Sequence, residues 1–91
     1  MEVVWSNRAA KSFSKIESIH FSQEETTAYK LKLLQRIEDK VLRSGKQFPS
    51  RTYENTYYIR IDSYIVSYEP SSDGSKYIIT AFKHGRQNDK Y

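Results

Sequence analysis

Between residues 56 and 82 the chain reads as three runs, TYYIRI, SYIVSYE and KYIITAF, each rich in aromatic and β-branched residues. Only a few residues separate one run from the next. Turns that short can join strands only in antiparallel fashion, so this stretch has to fold as a three-stranded meander. Asp62–Ser63 marks the first turn, and PSSDGS at 70–75, with its Asp73–Gly74 pair, marks the second. Strand alternation then sorts the side chains. With Ile59 and Ile61 facing a core, Tyr58 and Arg60 face the other way.

The first half has a different period. EVVWS at 2–6 reads as a strand, after which Ser6 or Asn7 can cap a helix through a side-chain oxygen. Ala9, Phe13, Ile16 and His20 then recur at helical spacing. Ser22 and Glu25 have the spacing of a capping box, which opens a second helix from about Gln23 to about Ser44. Thr27, Leu31, Leu34, Ile37 or Glu38, and Val41 mark its expected buried stripe, and Gly45 its stop. Lys30, Lys32, Arg36, Lys40 and Arg43, beside Glu38 and Asp39, form its expected solvated face. Trp5 and Phe82 are expected in the core or at its edge.

The predicted fold class is therefore α+β. Two N-terminal helices pack on one face of a small, mostly antiparallel sheet in the order β-α-α-β-β-β, and the opposite face stays open. A chain of 91 residues implies a single domain, 1–91. Net charge is +4, with eight Lys and Arg before Gly45 and seven after it, so an anionic partner must be held by a folded patch and not by a basic tail. The chain has no Cys, which removes disulfides and thiolate metal sites. MEVVWSNRAA lacks the apolar core of a signal peptide, and no run approaches membrane-spanning length; the expectation is a cytoplasmic protein without a membrane partner.

Chemistry is constrained by what remains. His20 and His84 are the only two histidines, and the acids do not cluster, so no metal and no cofactor are expected. The three glycines stand alone, which excludes a glycine-rich phosphate loop. Lys, Arg, His, Glu and Tyr can nevertheless cleave RNA, because RNA supplies its own nucleophile in the 2′-hydroxyl. The reaction needs a base at that hydroxyl, cations for the charge that grows on phosphorus, and an acid for the leaving 5′-oxygen. Arg86, His84, Arg60, Tyr91 and Glu54 are the expected catalytic groups. Arg51, Lys83 and Tyr58 are expected to bind substrate. Arg grips two phosphate oxygens at once, His titrates near neutrality, and Tyr, with a pKa of about 10, holds a proton to give.

A strand and two helices, then YIRIDSYIVSYE and YIITAFKHGRQ, resemble the RelE/ParE superfamily of bacterial toxins over nearly the whole chain. The resemblance implies the toxin of a type II toxin–antitoxin system with a cognate antitoxin as partner. One branch cleaves mRNA in the ribosome without a metal. For it, Arg60 lies on the second strand, Arg86 with Lys83 and His84 ends the last, and Tyr91 stands near that branch's terminal Tyr. Ile65 occupies the place where many of those ribonucleases carry a third-strand Arg, so phosphate holding falls to Arg60, Arg51 or Arg86. The other branch poisons DNA gyrase and has no catalytic set, and HGRQ resembles its His-Gly-Arg ending. The density of basic groups around the last strand, together with Tyr91, favours an endoribonuclease that arrests translation and growth.

Overall fold

The computed structural model of the chain describes residues 1–15 and 23–84. Its elements are β1 (Glu2–Trp5), α1 (Asn7–Ser14), α2 (Gln23–Ser44), β2 (Tyr57–Ile61), β3 (Tyr64–Pro70) and β4 (Lys76–His84). They form a four-stranded sheet in the order β1-β4-β3-β2. β2, β3 and β4 make the antiparallel meander, while β1 lies parallel to β4, with Trp5 opposite Ile79. A parallel pair needs a long crossover, and here both helices, β2 and β3 intervene between the two strands. Ile16, His20, the Ser22–Glu25 capping box, Arg86 and Tyr91 lie outside the described residues or side chains.

Local chemistry explains most boundaries. The Ser6 hydroxyl accepts from Ala9 N at 3.1 Å and so caps α1. Asp62 takes a φ of +51° in the tight β2–β3 turn, a conformation that Asp tolerates better than most residues. Between β3 and β4, the Asp73 carboxylate accepts from Ser71 Oγ, Ser75 N and Ser75 Oγ at 2.7–3.0 Å. Those hydrogen bonds, Ser71's first, hold its pKa far below the ordinary carboxylate range.

The core lies between the helices and one sheet face. Leu33, Ile37 and Val41 of α2 are fully buried against Ile59, Ile61, Val66, Tyr68, Tyr77, Ile79 and Phe82, and Ala9 of α1 joins them. This corrects the expected stripe of α2, because Thr27 and Leu31 are exposed and Leu33 is inside. Both phases share Ile37 and Val41. The observed one also brings in Tyr29, which packs against the core. At the α1 end, the rings of Trp5, Phe13 and Phe82 lie 5.1–6.3 Å apart, so Trp5 and Phe82 take the core and core-edge places expected of them.

The polar face of α2 is also tied to the sheet more than a solvated face would be. Glu38 accepts from Trp5 Nε1, the Lys40 amine donates to Arg60 O, and Arg36 forms a bidentate pair with Asp62 at 3.0 Å. The hydrogen bonds from Arg36 hold the Asp62 carboxyl below its usual range. Tyr29 Oη donates to the same carboxylate at 3.2 Å. Burial, followed by the neighbouring Tyr64 and Asp62, pushes that hydroxyl up to about 12.

Tyr68 pins the end of α2. Gly45 has a φ of +53°, and the fully buried Tyr68 donates from Oη to Gly45 O at 2.6 Å. Burial, then Tyr77 and Tyr57, raises the Tyr68 pKa to about 12. A tyrosine pKa above its unfolded value of about 10 contributes stability that is complete below pH ~10 and lost as pH rises towards 12. Tyr68→Phe is expected to cost about 1 kcal/mol at neutral pH and to flatten part of the alkaline loss of stability. Denaturant titrations from neutral pH upwards measure both. An unchanged alkaline limb would assign that loss elsewhere.

Candidate functional site

The sheet face away from the helices is shaped by a bulge in β4. Ser67 pairs with Ala81 but Tyr68 pairs with Ile79, which leaves Thr80 as an extra residue on β4. Strict alternation from Tyr77 and Ile79 would aim Ala81 and Lys83 at the helices. The extra residue reverses the parity, so Phe82 is buried in the core and Lys83 is delivered to the open face. Thr80 Oγ1 donates to Ser67 O at 3.3 Å and holds the irregularity in place.

Register places Arg60, Ile65 and Lys83 in one row across β2, β3 and β4 on that face. Arg60 is exposed and Lys83 half-buried, whereas Ile65 between them is only 5 % exposed. Beside this row, Arg8, Tyr53, Glu54, Thr56, Ser67, Glu69, Thr80, Ala81 and Lys83 line a cleft of about 420 Å³. β1 stops at Trp5, and Ser6 N donates to Ile79 O, so the first turn of α1 carries Arg8 past the end of β1 to one rim. The loop entering β2 supplies Tyr53, Glu54 and Thr56 to the lining.

That loop is an ordered structure. Ser50 N donates to Thr56 O at 2.7 Å and Tyr58 N to Phe48 O at 3.0 Å, while Pro49 pairs with Tyr57. Inside it, Ser50 Oγ accepts from Thr52 N and Tyr53 N, both at 3.2 Å. Asn55, at a φ of +55°, turns the chain back towards β2.

Of the residues expected at a site, Glu54 and Lys83 line the cleft, and Arg60 lies on the same sheet face as Lys83, separated from it by Ile65 of β3. Tyr58 is on that face too, opposite Ser67, and is half-buried. Arg51 is exposed in the loop and is not among the cleft's lining residues. His84 is the last residue of β4. It stands on the helix side, opposite Tyr64, with the two rings edge-to-face at 5.6 Å. Neighbouring strand residues point to opposite faces, so Lys83 and His84 cannot serve one surface.

Arg8, Tyr53 and Glu69 belong to the cleft without having been singled out in the sequence. The cleft therefore brings two cations, Arg8 and Lys83, against two carboxylates, Glu54 and Glu69, and its formal charge cancels. It can offer an acceptor for a proton beside an ammonium and a guanidinium, with an aromatic ring at the wall. Among the described residues no group of three or more His, Asp or Glu is arranged to hold a metal ion, and no helix is long and apolar enough to cross a membrane.

Comparisons place this arrangement in a family. The chain resembles a chain of the intact Escherichia coli RelBE toxin–antitoxin complex at a TM-score of 0.64 and 17 % identity, covering 94 % of this chain and 98 % of that one. Isolated E. coli RelE aligns at 0.65 and 15 %, over 97 % and 87 % of the two chains. The Mycobacterium tuberculosis RelBE2 toxin–antitoxin complex aligns at 0.63 and 16 %, over 91 % and 95 %. At these identities the likeness establishes the shared α+β fold. A search of the curated proteins finds no match. A family model described as the ParE toxin of type II toxin–antitoxin system, parDE, matches residues 3–89, nearly the entire sequence. The chain thus belongs to the ParE toxin family within the RelE/ParE superfamily, as the toxin of a type II toxin–antitoxin system.

Proposed function

We propose that this toxin is a metal-independent endoribonuclease that cuts mRNA on the ribosome and is held inactive by a cognate antitoxin. The observation that carries the reading is the meeting of Glu54 with Lys83 and Arg8 in a cleft of nucleotide size, with Arg60 on the same sheet face beyond Ile65. In this scheme Glu54 takes the proton from the 2′-hydroxyl as the 2′-oxygen attacks phosphorus. Lys83 and Arg60 neutralise the charge that develops on the phosphoryl oxygens. The bond from phosphorus to the 5′-oxygen breaks, the 5′-oxygen takes a proton from Tyr91, and a 2′,3′-cyclic phosphate remains. Arg86 adds a further phosphate contact. His84 has no part in the scheme, since it faces the helix side. The partner reading draws on the RelBE structures, each a toxin–antitoxin complex, and on the basic charge of this chain, which suits an acidic segment.

A second reading, a gyrase poison without chemistry, is favoured by Ile65. An apolar residue lies between the two cations of the central row, where a ribonuclease gains most from a third charge. Induction without antitoxin separates the two. Mapping of mRNA 5′ ends is expected to show new ends within coding regions before growth stops, with plasmid supercoiling unchanged over the same interval. Lost supercoiling with intact transcripts would replace the first reading by the second.

A further inference from the structure

The charge balance of the cleft poses a problem for a polyanionic substrate. Arg8 and Lys83 share one cleft with Glu54 and Glu69, so phosphate attraction at this point is largely offset. Something other than charge has to hold a nucleotide there. The remaining large lining side chain is that of Tyr53, a residue 61 % exposed.

A single exposed aromatic is ordinary surface. Tyr53 differs in how it is held. Its own backbone N–H is fixed by Ser50 Oγ at 3.2 Å, and the loop around it is closed by the Ser50–Thr56 and Phe48–Tyr58 hydrogen bonds. Thr56 Oγ1 also donates to Glu54 O, which ties the residue after Tyr53 into the same turn. Tyr53 is thus carried at the cleft wall by an ordered backbone, and Glu54 lines the same cleft. Ordering a flat apolar face beside a groove, with its rim in water, suits a ligand that brings a second flat face. A nucleobase does so, and stacking accepts any base because every base has a π-face.

We propose that Tyr53 is the base-stacking platform of the cleft, so that single-stranded RNA is captured here chiefly through a base and only secondarily through phosphate. The inference rests on the ribonuclease reading for its substrate class, yet it concerns binding and has its own readout. Tyr53 is a positioning residue in this scheme: it sets the nucleotide beside Glu54 and Lys83 without itself moving a proton.

The test uses the purified full chain and a short single-stranded RNA with 2′-O-methyl sugars, which cannot be cut, carrying 2-aminopurine as a stacking reporter. Binding is expected to quench the reporter. Tyr53→Ala should remove the quenching and weaken binding roughly 5- to 100-fold, whereas Tyr53→Phe and Tyr53→Trp should keep both. The salt dependence should be shallow, and Arg8→Ala should change affinity less than Tyr53→Ala does. Wild-type affinity in Tyr53→Ala, a steep salt slope governed by Arg8, or no binding of the probe would each overturn the proposal. Cleavage of unmodified mRNA on ribosomes is followed in parallel. A wild-type chain that binds through Tyr53 but cuts nothing refutes the ribonuclease reading and leaves this inference standing. A chain that cuts normally as Tyr53→Ala does the reverse.

Discussion

Ile37→Ala is expected to lower the unfolding free energy by about 3 kcal/mol, while Leu31→Ala on the same helix stays within about 0.5 kcal/mol of the parent. Ile37 is fully buried at the centre of the helix–sheet interface, so its truncation forfeits transfer energy and leaves a cavity that the surrounding Leu33, Ile59 and Val66 fill only in part. Leu31 is 59 % exposed and has little burial to lose, and alanine is at least as good a helix former. A chain of this length has roughly 5–13 kcal/mol of stability in total, so the first substitution removes a large share of it. Thermal unfolding should record a fall of about 12–24 °C for Ile37→Ala and a few degrees at most for Leu31→Ala. Equal losses would mean that α2 packs with the other phase.

That pair of substitutions also marks where local sequence stops being informative. In LKLL, residues 31–34, three leucines fall within four positions, and two helical stripes can be drawn through them that share Ile37 and Val41. Only the sheet chooses between them. By contrast the meander was legible, because alternation and the Asp62 and Asp73–Gly74 turns are local signals with single outcomes. The partner of β1 was not, since nothing within Glu2–Trp5 names a neighbour more than 70 residues away. The β4 bulge left a trace that strand parity could have exposed: Tyr77 and Ile79 fit one face, and Phe82 then arrives one residue late. The same parity puts Lys83 and His84 on opposite faces, although their adjacency in sequence groups them. Arg8 carried a faint signal as a cation in the first turn of a helix, where the macrodipole disfavours it. Tyr53 carried none, because its place depends on hydrogen bonds between Phe48, Ser50, Thr56 and Tyr58.

Glu54→Gln is expected to reduce the single-turnover rate of mRNA cleavage on ribosomes by roughly 10²- to 10⁴-fold, the usual cost of removing a general base. The amide keeps the size and the loop position of the side chain but cannot accept the 2′-hydroxyl proton. Glu54 is exposed, so the fold is expected to be untouched, and far-UV dichroism and antitoxin binding should match the parent. Charge alone is a competing explanation, because removing a carboxylate from a cleft that binds a polyanion strengthens ground-state binding. Glu69→Gln controls for it: the cleft loses the same charge at a residue outside the proton-transfer scheme, and cleavage should persist with tighter RNA binding. Lys83→Met removes the ammonium while keeping most of the aliphatic length, and should slow cleavage about 10²- to 10³-fold, as loss of one transition-state donor does elsewhere. The order expected is therefore a severe loss for Glu54→Gln, a large one for Lys83→Met and none for Glu69→Gln. Two equally active carboxylate variants would remove Glu54 as the base. A chain whose growth arrest survives all three substitutions acts by binding its target, and the cleft is then not its active site.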